Sequence, residues 1–440
     1  MMNITRANQA HAYRMLQCLT VAIRPLTVSE LAELLAFDFD VAEGEMPKLK
    51  PNWRWEDHEQ AILSTCSSLV TVVPKEGSPV VQFSHFSVKE FLMSDRLATS
   101  RRDISQYHIS LEDAHTLLTR ASLAVLLRDP DVNTSADSAP LAEYAAEHWV
   151  THAQANNVAS RVRDGMRRLF DPDKPYFEAW VELHDIDPYE FSSEPPDPEL
   201  GARPLYYAAL GGFLEQVEHL TVTYPQSAKA RGGNCGTALH SASFEGHLHV
   251  VRHLLRHGVD VNVRNTENST SLLFASRNDH CDVVQCLLDH GADLDLRDKW
   301  QASPLLFAAY YGNVDAVRLL LEHNADANSK DEDGLTPLHD TMRNDRFIAD
   351  RPQIVRLLLK NGANPNALDS DRRTPLHLVS QRSDLLDILR ILLEHGADLD
   401  VEDMFGKTPL QLSLESGHDE LTRLFSEYPN KPMSGSVTSM

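Results

Sequence analysis

Apolar residues in the second half of the chain recur inside a fixed polar frame. Within residues 303–333 a first apolar run, Pro304-Leu305-Leu306-Phe307-Ala308-Ala309, is cut by Gly312. A second run over residues 314–322 sets Val317, Leu319, Leu320 and Leu321 on one side, and a polar stretch, residues 328–333, follows. Apolar residues at helical spacing, broken by glycine and closed by a polar cluster, predict two short paired helices and a turn. Pro304 suits an early helical position, where its missing N–H is not needed. Small alanines let a neighbouring helix approach.

The unit repeats. Its opening phrase reads Thr336-Pro337-Leu338-His339, with variants at Arg203-Pro204-Leu205-Tyr206, Thr237-Ala238-Leu239-His240, Thr270-Ser271-Leu272-Leu273, Ser303-Pro304-Leu305-Leu306, Thr374-Pro375-Leu376-His377 and Thr408-Pro409-Leu410-Gln411. Successive phrases start 34, 33, 33, 33, 38 and 34 residues apart. Such a period implies a solenoid in which each unit buries its apolar face against its neighbours. Gly246, Gly312 and Gly417 fall between paired helices, and Gly258, Gly291, Gly362 and Gly396 follow second helices, where a left-handed residue ends a helix. The unit opening at Thr336 carries about five extra residues near 346–351, which reads as a longer loop.

These phrases, with closes such as Gly258-Val259-Asp260-Val261-Asn262, Gly291-Ala292-Asp293-Leu294-Asp295, Gly362-Ala363-Asn364-Pro365-Asn366 and Gly396-Ala397-Asp398-Leu399-Asp400, resemble the ankyrin repeat. The resemblance covers residues 201–428 as six repeats and a C-terminal half repeat, the first reading as a cap because it lacks the close. It implies that hairpin tips and the last exposed positions of first helices face a concave groove that receives a protein partner. Those positions hold Phe244 and Glu245, Arg277 and Asn278, and Tyr310 and Tyr311, with Lys299, Trp300, Glu332, Asp333, Met404 and Phe405 at the tips. Exposed Trp and Tyr are natural anchors of an interface. The competing reading is that Trp300 and Phe405 merely cover their hairpins.

The first half has a different pattern. Residues 11–37 read as two helices broken at Pro25-Leu26-Thr27-Val28-Ser29-Glu30, with Thr27 or Ser29 capping the second over 31–36. Trp53-Arg54-Trp55 lies in a polar loop, and a third helix is expected over 57–69. Alternating runs at 70–73 and 80–83 flank Pro74-Lys75-Glu76-Gly77-Ser78-Pro79, predicting a β-hairpin. Helices followed by a two-stranded wing suggest a winged helix. Three phrases, Arg24-Pro25-Leu26-Thr27-Val28-Ser29-Glu30-Leu31-Ala32-Glu33, Cys66-Ser67-Ser68-Leu69-Val70 and His85-Phe86-Ser87-Val88-Lys89-Glu90-Phe91-Leu92, resemble the segment after the NACHT module in fungal NLR-type (STAND) proteins. Pro140-Leu141-Ala142-Glu143-Tyr144-Ala145-Ala146-Glu147-His148-Trp149 is similar to the helical region that joins that segment to ankyrin repeats. The expected architecture is therefore mainly α: a winged helix (residues 1–105), a helical connector (106–200), the ankyrin-like array (201–428) and a disordered tail (429–440). Pro195, Pro196 and Pro198 suggest a stiff joint.

Chemistry adds little to this picture. No GxxxxGK[S/T] loop is present; Gly406-Lys407-Thr408 imitates its tail, but Val401 stands where the loop needs glycine. The resemblance thus implies a chain without the nucleotide-binding module: a truncated relative, part of a longer product, or a partner of a nucleotide-binding relative. No cofactor is expected. His249, His253 and His257 share one helical face at metal-ligand spacing, yet His before the closing glycine is an ordinary repeat choice, so no metal is expected. Asp260, Asp293, Asp326 and Asp398 recur in register and read as turn residues rather than catalytic acids. No GxSxG, HExxH or Cys/His nucleophile signature occurs, and the chain reads as a non-enzyme. Charge points the same way: 41 basic against 64 acidic residues give −23, opposing a polyanionic partner. The predicted third helix, Ala61-Ile62-Leu63-Ser64-Thr65-Cys66-Ser67-Ser68-Leu69, has no Lys or Arg to contact DNA. Five scattered cysteines fit a reducing compartment, and residues 117–127 are too short to span a bilayer. The expectation is a cytoplasmic or nuclear, non-catalytic scaffold or sensor that binds a protein on its ankyrin groove. The alternatives are a winged-helix transcriptional regulator, an adaptor for a ubiquitin ligase, or a regulatory subunit of an ATP-hydrolysing complex.

Overall fold

The computed structural model describes residues 6–41, 45–50, 58–66, 68–75, 78–100, 105–128, 139–187, 202–344 and 349–427. Trp53-Arg54-Trp55, the Pro195, Pro196 and Pro198 joint, the tail over 429–440 and residues 345–348 of the long loop lie outside them. Contacts divide the chain into two compact units, one of residues 1–190 with 197–232, the other of 191–196 with 233–440.

The first unit opens with α1 (Arg6–Val21) and α2 (Val28–Leu35), followed by a short antiparallel pair, β1 (Phe37–Asp38) and β2 (Lys48–Leu49). Next come α3 (His58–Cys66), the hairpin β3 (Val70–Val73) and β4 (Val80–Phe83), α4 (Phe86–Met93) and α5 (Asp95–Ala98). The hairpin occupies the expected residues, with Val70 opposite Phe83. The β1–β2 pair was not expected, because two-residue strands carry no alternation to read. A third strand-like segment also escaped the pattern: Val81 N–H donates to Leu26 O and Val28 N–H to Pro79 O, both at 2.9 Å, placing residues 26–28 beside β4.

Thr27 caps α2 through a reciprocal box. The Glu30 N–H donates to Thr27 Oγ1 at 3.1 Å, and the Thr27 N–H to Glu30 Oε2 at 2.7 Å. Arg24 pairs with the same buried carboxylate at 2.6 Å. One turn on, Glu33 is buried and accepts from Arg128 at 2.7 Å and from the Leu141 N–H at 2.8 Å. Three polar residues of one sequence phrase thus cap a helix and fasten it to the connector.

The connector consists of α6 (Leu111–Leu126), α7 (Ala142–Ala153), α8 (Val158–Arg161), α9 (Arg163–Leu169) and α10 (Tyr176–Leu183). Its two long helices pack on each other, and α6 also packs on α1. The first repeat, α11 (Ala202–Leu210) and α12 (Leu214–Thr223), belongs to the same compact unit. Phe213 stacks on Trp149 at 5.4 Å, Trp149 meets Trp180 edge-on at 5.1 Å, and Tyr207 meets Phe177 at 5.3 Å. The Tyr207 hydroxyl donates to Asp185 at 2.5 Å, and Gln154 Nε2 donates to Gly211 O at 3.0 Å. Large aromatic rings therefore fill the space that, deeper in an array, a preceding repeat would fill.

In the second unit, first helices α13 (Ala238–Phe244), α15 (Ser271–Arg277), α17 (Pro304–Tyr310), α19 (Pro337–Asp340), α21 (Pro375–Ser380) and α23 (Pro409–Glu415) pack side by side in one layer. Second helices α14 (Leu248–Arg256), α16 (Cys281–Asp289), α18 (Val314–Glu322), α20 (Arg351–Lys360), α22 (Leu386–Glu394) and α24 (Asp419–Glu427) form another. The last unit has both helices, so it is a whole helix pair where half a repeat was expected. Its second helix was hard to foresee because no glycine close comes after it. The unit opening at Thr336 has a short first helix, and buried Arg351 at the start of α20 donates to the Asn344 carbonyl.

Three histidines explain the opening phrase. In each, Nδ1 accepts the backbone N–H of the threonine three residues earlier: Thr237 to His240 at 3.1 Å, Thr336 to His339 at 3.2 Å, Thr374 to His377 at 3.0 Å. Nε2–H then donates to the next repeat, at Val263 O, Arg373 O and Lys407 O, at 3.0–3.1 Å. The imidazole caps its own helix and bonds its neighbour at once. Burial pushes His240 and His339 down to about 4, so both are neutral.

Candidate functional site

The recurring carboxylates act as turn residues: Asp260, Asp293, Asp326 and Asp398 each accept the N–H two residues on at 2.8–3.0 Å. A second set organises the hairpin tips. Asp298 Oδ1 accepts from the N–H groups of Trp300 at 3.0 Å and Ala302 at 2.8 Å, and Asp331 accepts from Asp333 and Leu335 in the same way. Backbone bonds then join tip to tip: Lys299 N–H to Glu267 O at 2.8 Å, and Glu332 N–H to Trp300 O at 3.0 Å. Trp300 is therefore fixed by its backbone while the residue is 44% exposed.

Trp300, Tyr310 and Tyr311 line one cleft of about 370 Å³ with Phe307, Phe274, Arg277, Asp298, Asp331, Asp340 and Arg343. Tyr310 and Tyr311 meet edge-on at 5.1 Å, and Phe307 lies parallel to Tyr311 at 6.4 Å. Arg277 holds its guanidinium 5.1 Å from the Tyr311 ring centre, and Lys299 Nζ lies 4.3 Å from that of Trp300. Asp340 is buried on α19 and paired with Arg343 at 3.1 Å; burial raises its carboxyl to about 7. Burial also raises Asp298 and Asp331.

The expected groove residues divide into three groups. Trp300, Tyr310 and Tyr311 converge. Glu332 and Asp333 are exposed on the neighbouring tip, and Met404 and Phe405, the latter 74% exposed, stand on the last hairpin and do not line the cleft. Phe244 is a correction: it is only 5% exposed, because its ring packs edge-on against Phe274 at 5.8 Å while its carbonyl accepts from Asn278 Nδ2 at 2.7 Å. Phe307, Asp340 and Arg343 were missed, though the repeat carried the signal. Counted from each opening residue, Phe274, Phe307 and Asp340 share one register, and Arg277, Tyr310 and Arg343 another.

Elsewhere, His253 and His257 stack at 4.0 Å, and His257 Nδ1–H donates to the His253 carbonyl, a bond internal to the helix. No helix among the described residues is long and apolar enough to cross a membrane.

Residues 205–298, 272–369 and 347–433 match the ankyrin repeats family, together more than half the chain, and the chain belongs to that family. Residues 1–102 match the winged helix domain of GPI inositol-deacylase, so the N-terminal fold is a winged helix of that type. Among curated proteins, the azaphilone pigments biosynthesis cluster protein L of Monascus ruber is 29% identical over 270 residues, 56% of this chain and 55% of that protein. The chain thus spans about half the length of this relative. Ankyrin repeats point to protein–protein interaction, and to protein partners for this chain.

Proposed function

We propose that this chain is a non-catalytic recognition protein that captures a protein partner at the aromatic cleft of its ankyrin array. The observation that carries the reading is the convergence of Trp300, Tyr310 and Tyr311 on one opening, on first helices and tips fixed by backbone bonds. Rigid, partly exposed aromatics give much contact area for little loss of side-chain freedom, which is why they dominate binding energy at interfaces. The N-terminal half, a winged helix joined to helices, serves assembly or relay, as the resemblance to NACHT-bearing NLR-type proteins suggests, with a nucleotide-binding relative as one partner. The Monascus relative's name, a biosynthesis cluster protein without a stated activity, suits an accessory role.

The full chain carrying Trp300→Ala, Tyr310→Ser and Tyr311→Ser should fold with nearly unchanged circular dichroism, because these side chains are only partly buried. It should lose the partners that the unaltered chain retains in cross-linking and mass spectrometry. An unchanged set of cross-linked partners would overturn the cleft as the receptor surface.

A further inference from the structure

Acidic side chains outnumber basic ones along the cleft. Four carboxylates, Glu267, Asp298, Asp331 and Asp340, line it against two guanidiniums, Arg277 and Arg343. Asp298 is 1% exposed; its Oδ1 is used by the turn, but its buried Oδ2 meets no hydrogen-bond partner among the described residues. A buried carboxylate oxygen without a donor is costly, and a cation arriving in the cleft would relieve that cost. The ring faces show the same preference, since the chain's own cations already occupy two of them. Lys299 lies over Trp300 and pairs with Glu267, and Arg277 lies over Tyr311. The ring quadrupole attracts a cation to its face, most strongly at Trp. Both the Lys299 and Glu267 side chains keep some solvent contact, so this contact can exchange for another.

We propose that the cleft receives a lysine or arginine side chain from a basic segment of the partner, which displaces Lys299 from the face of Trp300 and lies toward Asp298. Exposed Glu332 and Asp333 beside the cleft extend the complementary charge along such a segment, and the net charge of −23 favours its approach. The assignment rests on the reading that the cleft binds a protein and adds the chemical class of what enters it.

Fluorescence anisotropy on the full chain tests it, with labelled peptides of alternating Lys and Gly, Glu and Gly, and Ser and Gly. The Lys peptide should bind, and Trp300→Ala, which leaves charge unchanged, should weaken it about tenfold. Asp298→Asn keeps the Oδ1 acceptor of the turn and should weaken it as well. Lys299→Met should strengthen binding, and by more than Lys360→Met, which removes the same charge from the end of α20. Equal binding of the Lys peptide to Trp300→Ala means diffuse attraction only and overturns the proposal. Trp300-dependent binding of the Glu or Ser peptide instead leaves the cleft as a receptor but overturns its cationic ligand. Should no peptide bind while cross-linked partners still depend on Trp300, the cation assignment alone falls; should neither depend on Trp300, both readings fall.

Discussion

His240 and His339 show how one side chain sets both the local cap and the stack. Each is fully buried and neutral, with both ring nitrogens occupied. In the unfolded chain an imidazole takes its proton near pH 6.5, but in the array only at about 4. Between those values the unfolded chain holds more protons, so their contribution is complete above pH 6.5 and is lost as pH falls toward 4. The loss is on the order of 2–3 kcal/mol per imidazole. The melting temperature should therefore fall through this window. The variant His240→Gln with His339→Gln should melt lower at pH 7.5 yet show a flatter pH dependence; equal slopes would contradict the account.

At the scale of elements, asparagines in the closes tie each repeat to the next. Asn328 Nδ2 donates to Gly362 O at 2.9 Å, and its Oδ1 accepts from the Asn364 N–H at 2.7 Å. Asn262 and Asn366 clamp the following close in the same two-handed manner. Asp295 stands in that register and, as a carboxylate, has no N–H to donate. Asn328→Ala should cost about 1–2 kcal/mol in urea unfolding, and Asp295→Asn should raise stability; a null result for Asn328→Ala would remove the clamp's energetic role. The repeats were legible because a fixed period multiplies a weak local pattern, and β3 and β4 because alternation ends sharply at prolines. The cleft was legible only where a bulky aromatic stood at an expected tip. Phe244 misled because its burial depends on Phe274, one repeat away, and Asp340 was hidden because a polar residue in an apolar register reads as an ordinary surface position. The orphaned oxygen of Asp298 has no sequence signal, since every turn of this kind uses one carboxylate oxygen and leaves the fate of the other to tertiary packing.

For the molecule as a whole, the informative boundary lies after the first repeat. Phe213 and Tyr207 complete the aromatic core of Trp149, Trp180 and Phe177, and Arg163 and Glu215 pair beside it at 2.9 Å. A fragment of residues 1–232 should keep Trp149 and Trp180 dry and emit at short wavelength. A fragment ending at residue 187 should emit further to the red and melt lower; identical spectra would show that the helical connector closes its core unaided.

The missing amide donor at Asp295 also has a mechanical meaning. Stacked repeats behave as springs in series, and strain collects in the most compliant link. Asp295 lies at the junction between the repeat of α15 and that of α17; these two helices supply Phe274, Arg277, Phe307 and Tyr310 to the cleft, and Tyr311 follows at the end of α17. A junction without the asparagine's amide donor should yield before those clamped by Asn262, Asn328 and Asn366, so a load on the array is expected to reach the seam that the aromatic walls straddle and to change the aperture a partner meets.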